Sequence, residues 1–167
     1  MKQRNKIRLC IGLFIAGLIL SGVTAFPLLH ELNILCGMLG VGKVQSAAGY
    51  SGLTWWFLWV REGLHRTHDV YPFIAYGTDW LAFGHLTIAL FFIGPLVDPA
   101  RNIWVIYAGL IACVAVIPLA LICGPIRDIP IYWRLIDCSF GVVGFIPLWI
   151  ALTLTRRLPE ITRSGIS

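Results

Sequence analysis

The stretch Thr78–Pro95, TDWLAFGHLTIALFFIGP, is long and apolar enough to cross a bilayer, and it carries two ionisable residues. A hydrocarbon core about 30 Å thick needs roughly 20 residues of helix. Inside it every backbone N–H and C=O must find its partner within the protein, so a chain built from such stretches folds as helices. Asp79 lies near the start of the span, and His85 comes nine positions after Tyr76, where the span enters. At ~1.5 Å per residue, His85 is roughly 13 Å deep, close to the bilayer midplane. An ionisable group at that depth is costly and faces the protein interior or a cavity. His85 is therefore the first candidate for function.

The apolar runs fall at about residues 8–26, 76–97, 103–123 and 135–155. Hydrophobic residues make up 58% of the chain and charged residues 13%, too few for the surface of a soluble domain. The expected fold class is all-α. It is a polytopic membrane protein with one transmembrane domain over residues 1–167 and four transmembrane helices. Short interfacial helices are expected in a long first extracytoplasmic loop, about 27–75. The first run also fits a secretory signal, with Val23-Thr24-Ala25 as the small-x-small site. Its apolar core exceeds the usual ~7–15 residues, which favours a retained span. Gly12, Gly17 and Gly22 thin that helix and can let a neighbour approach. Pro118 is expected to kink the third span.

In the loop, PLLHELNILCGML reads as a short amphipathic helix ended by Gly37, Gly40 and Gly42. Ser51 or Thr54 can cap a second helix, LTWWFLWVREGLHRTHD, which Pro72 ends. Its Trp55, Trp56 and Trp59 suit the membrane–water interface.

Lysine and arginine set the orientation. Lys2, Arg4, Lys6, Arg8, Arg101, Arg156, Arg157 and Arg163 fall on one side of a four-span layout, against Lys43, Arg61, Arg66, Arg127 and Arg134 on the other. The expected location is the cell (inner) membrane with both termini cytoplasmic. The net charge of +5 serves this asymmetry. With no RNA-binding signature and no long basic helix, nucleic acid is not an expected partner.

Thr78, Ala82, His85 and Ala89 share one face of the second span at 100° per residue. On the fourth span Arg134, Asp137, Gly141, Gly144 and Leu148 share a face, and Arg134 and Asp137 are spaced to pair with each other. Asp79 stands at the matching height of the second span. Asp79, His85 and Asp137 are accordingly the candidates for proton chemistry, since neighbouring carboxylates and an arginine shift one another's pKa. Arg127, Tyr132, Trp133 and Arg134 in and after the link GPIRDIPIYWR, with Trp59, are candidates for holding a lipid-like ligand. Glu62, His65 and His68, followed by Asp69, offer imidazole and carboxylate ligands for zinc or iron, to which His30 and Glu31 can add. His85 is also a candidate metal or haem ligand. All four histidines lie on the outer side or are reached from it. Each constellation has a plainer reading as packing glue, local ion pair, solvated polar turn or interfacial anchor.

The five cysteines include no CxxC pair. Cys123 and Cys138, at the same ends of two spans, can bridge in an oxidising compartment. GxSxG, Walker, GxGxxG and HExxH patterns are all missing from the sequence.

Four spans with both ends inside and a long first outer loop make a layout similar to that of the sigma-2 receptor and sterol-isomerase group. The agreement is of layout alone. His85 stands where that group's pattern wants a carboxylate, and layout carries no function.

Three functions compete. The first is binding or processing of a lipid-like or hydrophobic molecule at a polar site in the outer half of the bundle, with membrane lipid as partner. The second is a non-catalytic subunit or assembly factor that docks a membrane-protein partner. The third is a histidine-ligated metal or haem redox protein. No motif decides between binding and catalysis.

Overall fold

The computed structural model describes residues 2–44 and 46–158. The helices are α1 Lys2–Ala25, α2 Leu28–Met38, α3 Gly52–Val70, α4 Tyr76–Phe91, α5 Ile93–Val97, α6 Ile103–Ile126 and α7 Ile131–Arg156, with a 3-10 turn at Pro72–Ala75. No strand occurs among the described residues. Four segments are long and apolar enough to cross a membrane: Gln3–Ala25, Pro72–Val97, Ile103–Ile126 and Ile131–Arg156. Leu13, Leu20, Ile111, Leu119 and Val143 on these segments are each more than half exposed. Such side chains are a hazard in water and at home in hydrocarbon.

The second span is not one helix. It breaks at Phe92, between α4 and α5. Pro95 explains the step, because it has no N–H to give to the Phe91 carbonyl four residues back. Pro118 and Pro147 instead lie inside α6 and α7, which continue past them. The segment EGLHRTHD, a turn in the plainer reading, stays helical to Val70. The first breaker there is Pro72, which holds Tyr71 out of the helical region, at φ −135° and ψ 64°. Ser51 occupies the N-cap of α3 in an extended conformation but makes no side-chain capping bond.

The chain divides into two compact units, one of residues up to Leu18 and from Ile88 on, the other Ile19–Thr87. In the first unit α6 and α7 pack along each other. The core is Ile7, Ile11, Phe92, Ile106, Leu110, Cys113, Leu148, Ala151 and Leu152. Glycines let backbones approach: a Cβ at Gly141 would meet the Cys113 carbonyl, and one at Gly109 would fall 2.6 Å from the Phe92 ring. Polar side chains close one end of this unit. Gln3 Nε2 donates to the Leu154 carbonyl at 2.8 Å, Arg8 Nε to the Leu96 carbonyl at 3.2 Å, and Arg4 Nη2 to the Val97 carbonyl at 3.5 Å. The Leu96 and Val97 carbonyls lie at the end of α5, where the helix dipole also favours a cation, while the Leu154 carbonyl near the end of α7 also accepts the Arg157 N–H at 3.2 Å. The start of α1 and the end of α7 thus lie together. Asp98 Oδ1 shapes the turn into α6 by accepting the N–H groups of Ala100 and Arg101, both at 3.2 Å.

In the second unit α2 packs on α3. The end of α2 follows from Gly40, whose φ of +74° is a left-handed conformation open to glycine. The Val41 N–H then reaches the Cys36 carbonyl at 2.9 Å and the Gly40 N–H reaches the Gly37 carbonyl at 3.1 Å. This is a Schellman cap, and its apolar contact is Val41 with Cys36 inside the small core of Cys36, Val41, Ala47 and Leu58. Of the three glycines on α1, Gly22 meets a neighbour, the Ala82 carbonyl 3.0 Å from an added Cβ. Gly12 and Gly17 meet nothing within 4 Å.

Candidate functional site

Two clefts open in the second unit, and adjacent stripes of α3 divide them. Arg61, Glu62, His65, Arg66 and Asp69 face one; Leu64 and His68 face the other. The i, i+4 spacing of Arg61 with His65, and of Leu64 with His68, puts each pair on one side of the helix. From α2, His30 lines the second cleft and Asn33, one turn on, lines both.

The first cleft, about 710 Å³, is ionic and is completed by Gly42, Lys43 and Val44. Arg61 is its anchor, only 6% exposed in spite of its charge. Its Nη1 donates to the Gly42 carbonyl at 3.2 Å and its Nη2 to the Val44 carbonyl. No carboxylate pairs with it among the described residues. Glu62 is occupied elsewhere, with Oε1 on Arg66 Nη2 at 2.6 Å and Oε2 accepting the Ala47 N–H at 3.4 Å. His65 Nε2 faces Asn33 Oδ1 at 3.4 Å. The second cleft, about 400 Å³, is mainly apolar, walled by Phe26, Pro27, Leu28, Leu29, Leu64 and Ala75. Its polar groups are His30, Asn33, His68 and Thr78. That volume is within the range of small-molecule sites.

The residues singled out from sequence fall as follows. His85 is half-buried on α4, in the second unit, and its Nδ1 bonds the Leu81 carbonyl at 2.8 Å. A carbonyl only accepts, so Nδ1 carries a proton in this bond. His85 lines neither cleft, but it shares an α4 face with Thr78, seven residues earlier and about 10 Å along the helix. Ala82, between them on that face, is fully buried, as the small-residue pattern required. Asp79 is half-buried and makes no hydrogen bond or ion pair among the described residues.

Arg134 and Asp137 belong to the first unit, and the pairing open to them by spacing does not form. The Arg134 side chain lies over Gly124 instead, with Nε buried and without a hydrogen-bond partner. Arg127 is exposed, and Tyr132 and Trp133 are half-buried. Trp59 is exposed and stacks on Trp55, ring centroids 5.9 Å apart. Cys123 is exposed and Cys138 half-buried, and both are free thiols, so the bridge open to them is not formed.

Glu62, His65 and His68 do not converge. Glu62 and His65 face the ionic cleft and His68 the apolar one. Among the described residues no three His, Cys, Asp or Glu side chains are grouped to hold a metal ion. A helix turns by 100° per residue, which sends neighbours such as His65 and His68 to different stripes once two clefts flank it.

Sequence reasoning underrated Arg61, Asn33 and Lys43. The signal for Arg61 was present: a cation following the run WWFLWV must find acceptors when that face is buried. No family model, no curated protein and no solved structure matches the chain.

Proposed function

We propose that the chain is an integral protein of the cell (inner) membrane that binds a lipid-like molecule in the α2–α3 layer, on the extracytoplasmic side. The observation that carries the reading is the cleft of about 400 Å³, whose apolar wall is interrupted by His30, Asn33, His68 and Thr78. An amphiphile needs both parts: an apolar wall for its chain and a few placed polar groups for its head. Orientation follows from the cations at the end of the first unit where α1 starts, which include Arg4, Lys6, Arg8, Arg101, Arg156 and Arg157. Put in the cytoplasm by the positive-inside rule, they leave α2 and α3 outside. Asp79 and His85 then lie on the span that continues from this layer, and His85 Nε2 is the ring nitrogen a ligand entering along the Thr78 face would meet.

Native mass spectrometry of the detergent-solubilised protein tests the reading. Wild-type protein is expected to retain lipid, and Leu64→Trp, which fills the cleft, to lose most of it while circular dichroism shows unchanged helix content. His85→Ala separates the cleft from the span. Retained lipid in that variant confines the site to the α2–α3 layer. Loss in His85→Ala with full retention in Leu64→Trp would move the site into the span and overturn a site in the α2–α3 layer. A protein that co-purifies with a stable polypeptide partner and no lipid would favour the assembly-factor role instead.

A further inference from the structure

We infer that the molecule held in this layer is an anionic amphiphile, its chain in the apolar cleft and its phosphate or carboxylate head in the ionic cleft beside it. The inference rests on the lipid-binding function proposed above and adds the chemistry of the head.

Three observations within the second unit carry it. The clefts adjoin, since Asn33 lines both, and His65 on the ionic side reaches Asn33 at 3.4 Å. The ionic cleft has three cations, Lys43, Arg61 and Arg66, against two carboxylates, Glu62 and Asp69. Glu62 and Arg66 are already paired with each other, which leaves Lys43 and Arg61 against Asp69. Above all, Arg61 is a nearly buried guanidinium facing only carbonyl dipoles. A buried charge without a counter-ion is costly. Two of its five N–H donors are placed on loop carbonyls, so donors remain for an oxyanion in the cleft. Lys43 is exposed at the same cleft and makes no hydrogen bond or ion pair among the described residues. A zwitterionic head would bring a second cation to a site that already has an excess of them. A neutral head would leave Arg61 and Lys43 as they are. An anion matches both.

The test is a competition read by native mass spectrometry, with purified full-length protein in detergent and equimolar phosphatidylglycerol and phosphatidylcholine of identical chains. Wild-type protein should hold phosphatidylglycerol over phosphatidylcholine by roughly fivefold or more, the factor expected for one well-placed cation near a membrane surface. Lys43→Gln, which breaks no bond in the structure, should lower that ratio, and Lys43→Gln with Arg61→Gln should bring it near one while phosphatidylcholine binding and helix content persist. Leu64→Trp should reduce both lipids together. A wild-type ratio of one, or a ratio that the two glutamine variants leave unchanged while Leu64→Trp still removes lipid, overturns the anionic head and leaves the apolar cleft standing. A Leu64→Trp variant that binds both lipids as wild type overturns the cleft itself. Millimolar inorganic phosphate should not erase the preference. If it does, and the bound phosphatidylglycerol falls to the phosphatidylcholine level, the ionic cleft takes a free anion and the amphiphile is wrong.

Discussion

Gly141 and Gly17 look alike in the sequence, each a glycine in an apolar helix. Their surroundings differ completely. A Cβ at Gly141 would fall 2.5 Å from Val116 Cγ1 and against the Cys113 carbonyl, so α6 and α7 would have to move apart. A Cβ at Gly17 would meet nothing within 4 Å. Gly141→Ala should therefore destabilise the protein by about 1–3 kcal/mol, the usual cost of overpacking. Gly17→Ala should be neutral or stabilising by up to about 1 kcal/mol, through helix propensity. Reversible unfolding in mixed micelles by SDS measures both, and equal effects would contradict the close α6–α7 approach. His85 teaches the same lesson from the polar side. Its depth in the span was readable from residue counting, but its bond to Leu81 on its own helix was not.

At the scale of elements, α3 does two jobs with one helix. Its Leu58 joins the small core with Cys36, Val41 and Ala47, while Arg61 ties the loop by the Gly42 and Val44 carbonyls. Hydrogen bonds from a charged donor contribute about 1.5–3 kcal/mol each. Arg61→Met should loosen the loop between α2 and α3, read as faster amide exchange at Val44 and Ala47. Arg61→Lys should restore only part of the protection, because an ammonium cannot reach two carbonyls with a planar fork. Full protection in the methionine variant would show that the small apolar core suffices without the tie. The extents of α2 and α3 were close to legible, since Gly40 and Pro72 are strong local stops. The break at Phe92 was not singled out, although Pro95 was in view, because a proline within a span either kinks or interrupts it, depending on its neighbours.

For the whole molecule the open test is the side of the membrane on which each segment lies. The unit that includes α6 and α7 gathers the start of α1 and the end of α7 at one end, with Gln3 bonded to the Leu154 carbonyl. If that end is cytoplasmic, a cysteine at Arg101→Cys should resist an impermeant maleimide on intact cells, and one at Lys43→Cys should react, in a background where Cys123 is replaced. The reverse pattern would invert the topology and put the α2–α3 clefts in the cytoplasm. The all-helical class and the four helices long and apolar enough to span were both legible in contiguous sequence. Hydropathy, helix length and the need to satisfy backbone groups inside a bilayer are properties of neighbouring residues. The partners of the polar residues were decided only in three dimensions. His65 faces Asn33 across 32 positions, Gln3 meets Leu154 across 151, and Arg134 leaves Asp137 for the surface of Gly124. Such choices depend on how helices pack, and a one-dimensional period records which side a residue faces but not what stands opposite.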